Sequence, residues 1–104
     1  MAFVTVARTD DVEPGYAIVV ETDGRRLALA RLEDGSFRAI DDVCTHDGGP
    51  LGEGEIEDNL IECPRHGARF DLDTGRAVTL PAVVGVRAYE TRVESDEVQV
   101  NLGE

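Results

Sequence analysis

The sequence predicts an all-β fold, and three observations carry that prediction. Short β-type segments recur about every 8–12 residues, the rhythm of a sandwich or barrel. Turn-forming pairs such as Asp23-Gly24 and Asp34-Gly35 stand between them. Nowhere do apolar residues keep helical spacing for more than about two turns. A chain of 104 residues fits one domain, residues 1–104, long enough to bury roughly 65% of the surface its unfolded form exposes.

Phe3, Val4 and Val6 alternate with small or polar residues and read as a first strand. The stretch Thr9–Gly15 has room for one short turn before Pro14. Tyr16–Glu21 and Arg26–Leu32 flank Asp23-Gly24, which suits a tight hairpin because both central residues of a type I′ turn need positive φ. Asp34-Gly35 is expected to repeat that turn ahead of Ser36–Ile40. Leu60–Cys63 and Ala68–Leu72 read as strands, with a turn at Asp73-Thr74-Gly75. Val86–Thr91 and Glu97–Leu102 close the chain as a hairpin around Glu94-Ser95-Asp96.

Charge excludes whole classes of function. The chain has 22 acidic residues against ten basic ones, all arginine, for a net charge of −12. Such a surface repels nucleic-acid phosphates and anionic lipid, so neither partner is expected. The apolar share of 41% is too high for a disordered acidic tail. The first seven residues show neither a basic segment nor an apolar run of export-signal length, and no run approaches the ~20 residues of a membrane span. A cytoplasmic location follows as an expectation, and with it two reduced cysteines rather than a disulfide.

One segment breaks the strand rhythm. Between Asp41 and Pro81 lie Gly48, Gly49, Pro50, Gly52, Gly54, Pro64, Gly67 and Gly75, together with every cysteine and histidine of the chain. Cys44-Thr45-His46 is followed, sixteen residues later, by Cys63-Pro64-Arg65-His66, giving C-x-H, x16, C-x-x-H. Glycines after each pair let the backbone pass close to a bulky inorganic group and aim amides at its sulfurs.

Three readings compete for Cys44, His46, Cys63 and His66. They are unrelated buried thiols and imidazoles, or a Cys2His2 zinc site stabilising an interaction module, or ligands of an iron–sulfur cluster. Zinc fingers place both cysteines first and both histidines last, unlike the interleaved order here. In a Rieske [2Fe–2S] centre two histidines replace two cysteines on one iron, which makes sense of that order.

The chain resembles the Rieske family in this motif, the flanking glycines, its length and its β signals. The resemblance implies stacked antiparallel sheets with a small, loop-rich cluster-binding subdomain. That subdomain would span about 41–81, set on a basal part of about 1–40 and 82–104. It implies one [2Fe–2S] cluster per chain, with Cys44 and Cys63 on one iron and His46 and His66 on the solvent-facing iron. Leu80-Pro81-Ala82 resembles the proline loop that covers the cluster's side. Pro64 would stiffen the second loop, and Thr45 would contribute either packing or an outer-shell bond beside the ligands.

Rieske potentials span roughly −150 to +300 mV, so outer-shell groups rather than ligands sort the members. High-potential respiratory members resemble C-T-H-x-x-C…C-P-C-H-G-S-x-Y, with a bracing disulfide and two hydroxyls bonded to cluster sulfurs. In this chain Gly49 and Arg65 stand at the bracing positions, and Ala68 and Phe70 at the hydroxyl positions. Without those donors, and at −12, the reduced cluster loses stabilisation, so a low potential is expected. A respiratory-complex subunit is excluded on these grounds.

An oxygenase needs a second iron held by two histidines and a carboxylate, and both histidines are already committed. Gly52-Glu53-Gly54 lacks the third glycine of a dinucleotide fingerprint. No catalytic residue is therefore assigned. What remains resembles the Rieske ferredoxins of bacterial aromatic-ring-hydroxylating dioxygenase systems, which serve aromatic hydrocarbon catabolism. The resemblance implies a soluble, monomeric carrier between an NAD(P)H-dependent flavoprotein ferredoxin reductase and a terminal oxygenase. Two related alternatives are a nitrite-reductase small-subunit-like protein and a Rieske protein of iron–sulfur assembly.

Residues 41–81 hold ten acids and three arginines, and the other 63 residues twelve and seven. Glu53, Glu55, Glu57 and Asp58 bunch between the ligand pairs, either as an ordinary solvated loop or as a docking face for a basic partner. Arg65 and Arg69 either orient a partner or pair with local acids.

Overall fold

The computed structural model of the chain describes residues 3–43, 51–52, 54–64, 67–78 and 85–103. They form ten strands: β1 Phe3–Arg8, β2 Tyr16–Thr22, β3 Arg25–Arg31, β4 Phe37–Asp41, β5 Glu55–Glu57, β6 Leu60–Glu62, β7 Arg69–Asp71, β8 Ala88–Tyr89, β9 Thr91–Glu94 and β10 Glu97–Asn101. One 3-10 turn, Thr9–Asp11, stands where a short turn is expected. The strands make three antiparallel sheets, ordered β1-β10-β9, β2-β3-β4-β8 and β5-β6-β7. The all-β prediction holds.

The sequence of β3, Arg-Arg-Leu-Ala-Leu-Ala-Arg, explains how the sheets stack. Leu27, Ala28, Leu29 and Ala30 are all fully buried, so this strand is covered on both faces. Side chains alternate across a strand, and the two faces join different cores. Leu27 and Leu29 pack with Phe37, Ala39, Val98 and Val100, against the first sheet. Ala28 and Ala30 pack with Ile40, Ile61, Cys63 and Phe70, against the third. The second sheet is thus the middle layer. Its small alanines on one face let the β5-β6-β7 sheet approach closely.

Turn chemistry sets the registers. Thr22 pairs with Arg25 across Asp23 (φ 54) and Gly24 (φ 76), the two-residue hairpin that the sequence predicts. The Asp34-Gly35 expectation is corrected. Arg31 pairs with Phe37, leaving a five-residue loop in which only Gly35 (φ 91) takes positive φ. Asp34 instead accepts bonds from the Ser36 amide (2.9 Å) and hydroxyl (2.6 Å), which lower its pKa. An Asx turn has replaced the I′ turn.

The segment expected as one strand, Val86–Thr91, divides between two sheets. Ala88 and Tyr89 pair with Ile40 and Ala39 of β4, whereas β9 pairs with β10. The change of sheet falls at Glu90, whose carbonyl accepts from the Asn101 amide at 2.8 Å. The Thr91 hydroxyl secures the corner by donating to the Phe37 carbonyl at 2.8 Å.

Candidate metal centre

Of the four predicted ligands, Cys63 is described, and Cys44, His46 and His66 lie outside the described residues. Cys63 follows directly on β6 and is fully buried. Its amide donates to the Ala68 carbonyl at 2.6 Å, and the Cys63 carbonyl accepts from the Gly67 amide at 3.0 Å. Gly67 takes φ 77, a left-handed conformation that a side chain would strain. These bonds draw Cys63 and Gly67 together around the sequence that contains His66.

Leu51, the residue after Pro50, is buried in the same core as Cys63, Ala68 and Phe70. The exit of the segment bearing the first Cys/His pair thus meets the hairpin bearing the second. Asp42 reinforces that meeting: its Oδ1 accepts from the Leu51 amide at 2.8 Å and the Gly52 amide at 2.7 Å. Gly52 is required because a Cβ there would run into Val19 on β2. A buried, unbonded thiol on a glycine-closed turn is a suitable thiolate donor for a soft metal group, so the described residues fit a cluster.

A third segment is tied down nearby. Gly75 (φ 79) and Gly85 touch so closely that a Cβ on Gly75 would overlap the Val86 carbonyl, and the Val86 amide donates to the Gly75 carbonyl at 2.7 Å. Between these anchors runs the sequence containing Leu80-Pro81-Ala82, whose predicted covering role lies outside the described residues. Thr45, Gly49 and Arg65 lie outside them as well, whereas Pro64 is described and exposed.

Ala68 and Phe70 are both fully buried in the core that contains Cys63. The two positions matched to hydroxyl donors therefore offer only hydrocarbon. Arg69, between them on the opposite face, pairs with Glu62 (Nε–Oε1, 3.1 Å) and approaches Glu57 (3.9 Å). Of the two roles open to Arg69, pairing with local acids is the one seen.

The acidic bunch needs correction. Glu53 is outside the described residues, but Glu55–Glu57 is strand β5 and Asp58 (φ 56) begins its turn into β6, so this is a hairpin and not a loop. Ile56 faces inward with Ile61 and Phe70, while Glu55, Glu57, Glu62 and Arg69 line a shallow outer groove. Glu55 sits directly opposite Glu62, a like-charge pair that Arg69 relieves from the other side.

Residues that pattern reading missed fix the base of the site. Tyr89 donates its hydroxyl to Asp41 Oδ1 at 2.6 Å, and burial, then this bond, raise its pKa. The Arg87 and Arg25 guanidinium groups lie 4.8 and 6.0 Å from its ring centroid, and both donate to the Leu102 carbonyl. The end of the chain is thereby pinned to the end of β4, three residues before Cys44. No periodicity or motif marks such a cluster in advance.

Residues 2–90 match the Rieske [2Fe-2S] domain family. The chain belongs to that family. Its cofactor is accordingly a [2Fe–2S] cluster, which decides against the zinc module. The chain is 36% identical over 102 residues to the ferredoxin component of biphenyl 2,3-dioxygenase from Rhodococcus jostii, covering 98% of this chain and 94% of that one. The ferredoxin of carbazole 1,9a-dioxygenase from Nocardioides aromaticivorans superposes with TM-score 0.89 at 36% identity, over 96% and 97% of the two chains. A complex of reduced oxygenase and oxidised ferredoxin in carbazole 1,9a-dioxygenase contains a chain similar at TM-score 0.85 and 35% identity, over 94% and 91%. These likenesses bear out the Rieske ferredoxin resemblance, the fold and the cofactor.

Proposed function

We propose that this Rieske protein carries one electron at a time to the terminal oxygenase of a ring-hydroxylating dioxygenase system. It would receive each electron from an NAD(P)H-dependent flavoprotein reductase and perform no substrate chemistry itself. The observation that carries the reading is near-full-length likeness to dioxygenase ferredoxins, one of them in a complex with an oxygenase. Cys44 and Cys63 would bind one iron as thiolates, and His46 and His66 the other through ring nitrogens. The cluster supplies reversible one-electron chemistry when bound. The chain's own work is to bury Cys63, to close the ligand turn at Gly67, and to exclude water with Leu51, Ala68 and Phe70.

A low potential suits this role, and the hydrocarbon side chains of Ala68 and Phe70 favour it. A monomer acting in the cytoplasm completes the reading. No helix among the described residues is long and apolar enough to cross a membrane.

The test is anaerobic transfer. Dithionite-reduced protein, carrying the paramagnetic signal of a reduced [2Fe–2S] centre, should lose it within seconds of mixing with an oxidised ring-hydroxylating oxygenase. Transfer to a nitrite reductase large subunit and not to any oxygenase would select the nitrite-reductase alternative. If acidic Glu55 and Glu57 face the partner, raising ionic strength should slow the transfer.

A further inference from the structure

Among the described residues Asp42 is the one buried charged residue, with a side chain wholly removed from solvent. Its two oxygens have different surroundings. Oδ1 accepts both amides, those of Leu51 and Gly52, and so ties the residues after the first ligand segment to the residue two before Cys44. Oδ2 accepts no hydrogen bond. Arg26 Nη2 stands 3.3 Å from Oδ2, near enough for attraction but not aligned as a donor, and that side chain is 59% exposed.

A buried carboxylate with a bare oxygen and one half-solvated counter-charge is a costly arrangement. An asparagine carbonyl would accept the same two amides. What the carboxylate adds is a negative charge, held in a dry place within two residues of a proposed ligand. A cluster that gains an electron becomes more negative, and a fixed buried anion nearby opposes that gain because the interior screens charge poorly.

We propose that Asp42 has two roles at the metal centre: Oδ1 positions the first ligand segment, and the charge on Oδ2 makes the cluster harder to reduce, with Arg26 moderating that charge. This rests on Cys44 and His46 being ligands. The comparison uses cluster-loaded full-length protein at one pH and ionic strength, with midpoints from spectroelectrochemical titration. Asp42→Asn keeps the acceptor and removes the charge. It should retain the cluster signal and become at least threefold easier to reduce, an upward shift of about 28 mV at 59 mV per decade.

Arg26→Gln should shift the midpoint the other way, because the carboxylate loses its counter-charge. Asp42→Ala also removes the acceptor, and should release iron to a chelator at least fivefold faster than Asp42→Asn. Unmoved midpoints in both Asp42→Asn and Arg26→Gln would overturn the electrostatic role. Equal iron release from the Ala and Asn variants would overturn the positioning role. If Asp42→Asn does not fold, the direction of the Arg26→Gln shift decides alone. A wild-type protein without a [2Fe–2S] signal would instead sink the ligand reading on which the proposal stands.

Discussion

Two hairpins of this molecule use similar turns for different ends. The β2–β3 pair runs for seven paired positions and the β5–β6 pair for three, each closed by a two-residue turn with an aspartate at positive φ, Asp23 and Asp58. The long hairpin contributes β3, buried on both faces, and belongs to a layer with core above and below. The short one buries a single row, Ile56 and Ile61, and turns glutamates outward. Buried area maintains the basal sheets and, through Ile61 and Phe70, anchors the third sheet on Ala28 and Ala30, but the short hairpin also relies on particular attachments: Asp42 on Leu51 and Gly52, Gly54 against the Glu62 carbonyl, and Arg69 on Glu62. Coordination of a cofactor would add to the stability of such a region.

The largest expected effect would separate the two regions outright. Cys63→Ser should abolish the visible and paramagnetic signatures of the cluster. Amides of β5–β7 should then exchange with solvent much faster, while those of β3 keep their protection. Uniform loss of protection through β3 would show that base and tip form one cooperative unit and would break the comparison.

Next in size is a pair of core truncations. Leu29→Ala, in the core between the first and second sheets, should cost about 2–5 kcal/mol in denaturant unfolding, with the potential unmoved. Ile56→Ala, at a partly buried position of the third sheet, should cost about 1–2 kcal/mol and loosen the hold on iron. Equal costs would mean that the short hairpin contributes as much area as the long one.

A smaller shift is expected from restored donors. Ala68→Ser and Phe70→Tyr should each raise the midpoint, by stabilising the reduced cluster on the order of 1 kcal/mol. A midpoint that stays put in the double variant would show that these buried positions do not face the cluster sulfurs.

The smallest effect concerns the pin between the two regions. Tyr89→Phe removes the hydroxyl bonded to Asp41 and should cost about 1 kcal/mol near neutrality. The folded state raises this phenol's pKa above the ordinary 10.0, so it binds a proton that the unfolded chain gives up. That contribution is complete below pH 10 and disappears as pH climbs through the raised value. The wild type should therefore lose stability above pH 10 more steeply than Tyr89→Phe, which unfolding midpoints measured from pH 8 to 11 can check.

Legibility followed the range of the forces involved. The β2–β3 hairpin could be read because seven-residue strands and an Asp-Gly turn are local signals. Glu55–Glu57 could not, since a three-residue strand with one apolar side chain has no periodicity to detect and exists through its neighbours. The partition of Val86–Thr91 between sheets was hidden for a similar cause: no glycine or proline marks a break there, and only the positions of β4 and β10 decide where it bends. At the site, residue types and spacing made Cys63 and its three companions candidates. Asp42 is one carboxylate among 22 acids, and nothing but its burial distinguishes it.

What the amino-acid order determined alone was the class of fold, the family and the chemistry the chain can support. Those depend on turn residues, alternation and the rarity of cysteine and histidine, all properties of short windows. Tertiary structure alone decided which face of β3 meets which sheet, how the ligand segments are tied at their bases, and where a charge is left in a dry interior. Each of these depends on groups far apart in the chain, such as Arg26, Asp42 and Leu51, whose interaction exists only after the backbone has closed around them.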